Sequence, residues 1–265
     1  MILFGFFRRK KALKRIRKAN CRAELVAAIE KAKSLDVSSE KISKALEKGR
    51  NDAAKKLASV NSHREFVEAQ NLMKLFDVPE DRQAIAIKKG TKKTLNAIET
   101  CRSIPDFKEL MALADDFHIE SEKVNKAKQH CCEGVYDELQ SATRLKAVKK
   151  YIDFAHFIRM DSDALDAAQS ACGDSALERI ENCDDAEELE ESMAIAKLVG
   201  VSKTKIDRAI KSAQSKVMSD IEDADEESDW EQLEELGIAL GLDKHVVAVA
   251  IKKAKKRIEA EKNKA

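Results

Sequence analysis

Two prolines and eight glycines in 265 residues leave few places for tight turns. A β-rich fold, which needs a turn roughly every 8–12 residues, is therefore excluded. Aromatic residues make up only 5%, too few for a stacking surface of the kind single-stranded nucleic acids use. Charge of one sign is not in excess either: 49 Lys and Arg stand against 48 Asp and Glu, a net +1. The chain as a whole is not built as a polyanion binder. No apolar run approaches the ~20 residues that span a bilayer. The run Met1–Phe7 precedes the basic cluster, the reverse of a secretory signal's order. A glycine-rich phosphate loop, a G-x-S-x-G elbow and an H-E-x-x-H pair are all missing, so no recognised catalytic constellation is present.

What remains is 43% hydrophobic and 37% charged, the balance of long amphipathic helices with cores of Ala, Leu, Ile and Val. A short signature recurs: Asp36-Val37-Ser38, Asp77-Val78-Pro79, His118-Ile119-Glu120, Arg159-Met160-Asp161, Gly200-Val201-Ser202 and Gly241-Leu242-Asp243. Their central residues are 41 apart every time, and aligning on that step gives six copies without an insertion. Eight residues after the centre stands alanine six times: Ala45, Ala86, Ala127, Ala168, Ala209 and Ala250. Twelve after it come Gly49, Gly90, Cys131, Cys172, Ala213 and Ala254, all small. Steps of four and eight share one helix face, so a long helix of about 21 residues follows each signature. A shorter helix precedes it, with Leu25, Phe66, Phe107, Val148, Leu189 and Trp230 at its start and Leu35, Phe76, Phe117, Ile158, Val199 and Leu240 near its end. The residue after each centre is cap-like, Ser or Asp in four copies, with Pro79 read as a first-turn proline.

Ala12, Leu13, Ile16 and Ala19 fall one step of 41 before Ala53, Ala54, Leu57 and Val60. Residues 8–20 thus read as the tail of a truncated extra repeat. The expected fold is all-α: an α-solenoid of six 41-residue helical hairpins over 21–265, with 1–20 as an apolar and basic segment and half-repeat cap. A hairpin recurring every 41 residues resembles the α-solenoid class, within the repeat length of HEAT and armadillo arrays. The resemblance covers 21–265 and rests on period and stripe. The first-helix proline and Asp/Arg ladder of HEAT-type repeats are absent, Pro79 and Pro105 being the only prolines. The tetratricopeptide period of about 34 does not fit.

Of the six cysteines, Cys131 and Cys172 share the column of Gly49 and Ala213, and Cys101 and Cys183 that of Val60 and Ala224. They are expected as reduced, buried, small hydrophobes. His118, His130, Cys131 and Cys132 form the one ligand-like cluster, but neighbours on a helix point about 100° apart and do not converge on an ion. No metal, cofactor or catalytic residue is expected.

Charge is more informative. Residues 1–20 hold eight bases and no acid, and 220–235 hold ten acids and no base. The C-terminus is basic again through Lys252, Lys253, Lys255, Lys256 and Arg257. The apolar heptapeptide beside the N-terminal bases suggests a peripheral anchor: Phe4, Phe6 and Phe7 entering a membrane interface while Arg8, Arg9, Lys10, Lys11, Lys14 and Arg15 meet anionic headgroups. The same residues also fit a cap folded back over the first repeat, or a mitochondrial-type presequence. Partner-binding candidates are the column Lys41, Arg82, Lys123 and Lys205, interrupted by Ala164 and Val246, and the acids Asp225, Glu226, Glu227 and Asp229. The expected function is a non-catalytic protein–protein interaction scaffold, cytoplasmic, tethered to an anionic membrane surface. The alternative is electrostatic nucleic-acid binding, which near-zero net charge disfavours.

Overall fold

The structure is a computed structural model that describes residues 2–224 and 227–262, with side chains described except at 2–5, 227–228 and 261–262. Helix α1 (Ile2–Arg17) is followed by alternating short and long helices. These are α2 (Arg22–Lys33) and α3 (Ser39–Ala58), α4 (His63–Leu75) and α5 (Glu80–Glu99), α6 (Ile104–Asp116) and α7 (Ser121–Gln140). Then come α8 (Leu145–Ile158) and α9 (Ser162–Asn182), α10 (Ala186–Leu198) and α11 (Lys203–Asp223), α12 (Glu227–Ala239) and α13 (Lys244–Lys262). The fold is all-α, with no strand among the described residues. No helix among them is long and apolar enough to cross a membrane.

Each corner between a short helix and the long helix that follows is built the same way. Asp36, Asp77, His118, Arg159, Gly200 and Gly241 have φ between 49° and 84°, the left-handed conformation that ends many helices. These six positions are 41 apart. The next residue's N–H reaches back five residues, Val37 to the Ala32 carbonyl at 3.1 Å and Val201 to Ala196 at 2.9 Å, and likewise at the other four. This backbone lock satisfies carbonyls that a helix end otherwise leaves unpaired. Asp161 and Ser202 then accept hydrogen bonds from the first turn of α9 and α11, and Asp243 does so for α13. Pro79 differs from expectation: it stands at the N-cap of α5, not in its first turn.

Two compact units divide the chain, Met1–Cys131 and Cys132–Ala265. In the first, α3 packs against α1 on one side and α5 on the other, while α2, α4 and α6 pack on the long helices. In the second, α11 packs against α9 and α13, and α10 against α8 and α12. Burial follows the small-residue stripe. In α3 it takes in Ile42, Ala45, Gly49, Ala53 and Leu57; in α11, Ile206, Ala209, Ala213, Val217 and Ile221. A Cβ on Gly49 would stand within 3.0 Å of three Phe76 ring atoms, so the bare backbone there is what admits the ring.

The register of the repeat is kept in α1 from Arg9 onward. Arg9 Nε donates to the Leu35 carbonyl at 2.8 Å, as Arg50 Nε does to Phe76 at 3.0 Å and Gln214 Nε2 to Leu240 at 2.8 Å. Arg9, Arg50 and Gln214 are related by multiples of 41, and each closes the carbonyl just before a left-handed residue. With Ala12, Ile16 and Ala19 buried, α1 occupies the place of a long helix beside α3.

Candidate anion-binding face

Two grooves separate the long helices of the first unit, and the wall of the first is mostly lysine. The α1/α3 groove, about 490 Å³, is lined by Lys10, Leu13, Lys14, Arg17, Lys18, Lys41, Lys44, Ala45, Lys48 and Asp52. The α3/α5 groove, about 340 Å³, is lined by Asn51, Ala54, Lys55, Ala58, Arg82, Ile85, Ala86 and Lys89. Adding 41 to eight of the first set reproduces the second in full. It is one groove built twice with different side chains.

Neutralisation differs between the two. In the first groove Arg17 pairs with Asp52 at 2.7 Å and Lys44 with Glu40 at 2.5 Å. Lys10, Lys14, Lys18, Lys41 and Lys48 have no ion pair among the described residues. In the second, Arg82 is bound to Glu47 and lies 3.3 Å from the Asn51 side-chain oxygen. The Arg82 guanidinium, with help from Arg50, holds the Glu47 carboxyl below its ordinary value. Of the recurrent basic column, Lys123 pairs with Glu120 at 2.9 Å and Lys205 lies 3.9 Å from Asp174. Only Lys41 of the four faces a surface of unpaired cations. Lys44 and Lys48 were not singled out in the sequence. Their signal was available: with Lys41 they stand at i, i+3 and i+7, on one helix face.

On its uncovered side α1 presents Phe7, Lys10, Lys11, Lys14, Arg15 and Lys18 together. Phe6 and Phe7 are 62% and 63% exposed, with rings 6.1 Å apart edge to face. They belong to the first turns of α1. Arg8 and Lys11 are exposed as well, whereas Arg9 is spent on the Leu35 carbonyl. The Phe4 side chain lies outside the described residues, as do Asp225, Glu226 and the Glu227 side chain.

The second unit is of opposite sign. Residues 132–265 hold 20 Lys and Arg against 30 Asp and Glu, a net −10, while 1–131 hold 29 against 18, a net +11. The near-neutral total conceals this division. Asp184, Asp220, Asp223 and exposed Asp229 line a cleft of about 370 Å³ with no base in its wall. Lys255 of the basic C-terminal run stacks over the Trp230 ring at 5.0 Å.

Cys101, Cys131, Cys172 and Cys183 are buried, Cys132 half-buried and Cys21 exposed. Desolvation pushes the Cys101, Cys172 and Cys183 thiols up from their ordinary value, which keeps them protonated. No group of three or more His, Cys, Asp or Glu among the described residues is placed to hold a metal ion. No family model, no curated protein and no solved structure matches this chain.

Proposed function

We propose that this chain is a non-catalytic scaffold, an α-solenoid of six 41-residue helical hairpins with a truncated seventh at the N-terminus. It docks on an anionic membrane surface through α1 and offers its acidic second unit to a basic protein partner. Support for the repeat comes from the left-handed corner at every 41st residue and from the two grooves whose linings coincide at that step. The observation that carries the function is the face of α1, where exposed Phe7 stands among lysines and an arginine with no acid in the lining, beside exposed Phe6. Apolar insertion and headgroup attraction reinforce each other there, each too weak alone. Nucleic-acid binding draws less support, because Arg82, Lys123 and Lys205 are each engaged by an acid.

Co-sedimentation of the full chain with vesicles tests the docking. Binding should require anionic lipid, weaken as salt rises, and be lost in Phe6→Ser/Phe7→Ser. Equal recovery of parent and variant overturns it. Tighter binding to an oligonucleotide than to anionic vesicles at the same salt would replace it with the nucleic-acid alternative.

A further inference from the structure

We propose that the α1/α3 groove is a specific site for a polyphosphorylated anion, its occupant the multiply phosphorylated headgroup of a membrane lipid. This rests on the reading that α1 docks on lipid. Five unpaired lysines from two facing helices and the turn after α1 line one groove whose single lining acid, Asp52, is already taken by Arg17. Lys10 and Lys14 lie along one stripe of α1 about 6 Å apart, with Lys18 in the turn just after it, and Lys41 and Lys48 two turns apart, about 10 Å, on α3. Like charges this close repel one another. A single phosphate could relieve only part of that, whereas several phosphates on one small ring can meet lysines from both walls. Lysine suits the task as a compact charge on a flexible stem that binds phosphate without demanding one geometry. At about 490 Å³ the groove is of small-molecule size, within the ~300–1,000 Å³ usual for such sites.

The site is particular to this groove rather than a property of every helix pair. One step of 41 along, Asn51, Ala58 and Ile85 replace Lys10, Arg17 and Lys44, and the one arginine is bound to Glu47. The unpaired charge therefore thins after one groove, where a nucleic-acid backbone would need a continued track. Lys10, Lys14 and Lys18 border both the groove and the Phe7-bearing surface. Insertion of Phe6 and Phe7 thus brings the groove to headgroup depth.

The experiment compares the full chain with two variants, Lys41→Gln/Lys48→Gln and Phe6→Ser/Phe7→Ser, each first shown to melt as the parent does. Four probes are used: vesicles carrying a bisphosphorylated phosphoinositide, vesicles of equal charge carrying phosphatidylserine, soluble inositol hexakisphosphate, and an oligonucleotide. The parent should prefer the phosphoinositide vesicles. Lys41→Gln/Lys48→Gln should lose at least about 30-fold in affinity for them, from the usual contribution of each surface lysine, and lose much less for the phosphatidylserine vesicles, whose single charges do not fill the groove. Phe6→Ser/Phe7→Ser should leave both vesicles yet still bind the soluble polyphosphate. No preference at matched charge, or unchanged binding by the lysine variant, overturns the groove site and leaves the docking of α1 standing. Soluble binding by a parent that ignores both vesicles overturns the lipid assignment and the docking, and makes a free polyphosphate the occupant. An oligonucleotide bound more tightly than inositol hexakisphosphate overturns the site's assignment.

Discussion

Replacing Gly90 by alanine sets two effects of opposite sign against each other. Gly90 lies inside α5 and is buried. In a helix exposed to solvent the change would stabilise by about 1 kcal/mol, because glycine gives up more backbone freedom. Here the new Cβ would stand 2.7 Å from Cε1 of Phe117 and closer still to its Cζ. Phe117 has little room to retreat: it is 6% exposed, and its ring packs edge-on against Phe66 with centroids 4.9 Å apart. Displacing a packed ring costs about 1–3 kcal/mol, and the edge contact with Phe66 is worth about 0.5–1.5 kcal/mol more. The steric terms win, and Gly90→Ala should destabilise by about 1–2 kcal/mol net. Urea unfolding followed by helical circular dichroism measures it. In a Phe117→Leu background, which frees the space, the same alanine should turn neutral or stabilising. A Gly90→Ala protein about 1 kcal/mol more stable than the parent would refute the reasoning, since propensity alone would then govern the site.

At the corners, His118→Gly should raise the melting temperature by relieving about 1 kcal/mol of left-handed strain, and Gly200→Ala should lower it by adding about 1–2 kcal/mol of the same strain. Ser192 is wholly buried in α10 and its hydroxyl has no hydrogen-bond partner among the described residues; Ser192→Ala should stabilise by about 1 kcal/mol in the same melts. Glu191 accepts from the Leu145 N–H at 3.0 Å and from Arg144 at 2.8 Å, which hold its carboxyl below the ordinary value in that order of importance. Its contribution is therefore complete above the ordinary glutamate value and lost as pH falls through the lowered one; Glu191→Gln should flatten the acid limb of stability against pH. A maleimide should modify exposed Cys21 quickly, while buried Cys101, Cys172 and Cys183 resist until urea is added; equal rates for all would show that these thiols are not packed.

The small-residue columns were legible in the sequence because burial on a helix repeats every three or four residues. Ala45, Ala86, Ala127, Ala168, Ala209 and Ala250 are all buried. The sizes of two columns even answer each other: Gly49 and Gly90 precede Phe76 and Phe117 by 27 residues, while Cys172 and Ala213 precede the smaller Val199 and Leu240. The corner conformation was only partly visible. Glycine marks it at 200 and 241, but Asp36, Asp77, His118 and Arg159 adopt it too. The cost is small enough for the backbone lock to impose it on such residues.

The sequence by itself determined the helices, their order and the faces they bury, since these follow from local propensity and from a periodicity spanning a few turns. Apart from pairs within one helix such as Lys44–Glu40 and Lys123–Glu120, which charges remain unpaired was decided by tertiary structure. Arg82 meets Glu47 from the preceding long helix, Lys205 meets Asp174, and Arg17 meets Asp52. Lys41 instead faces Lys10 and Lys14 across the α1/α3 groove. Neutralisation depends on distances between side chains more than twenty residues apart in the chain, and only the packing of one helix on the next sets those distances.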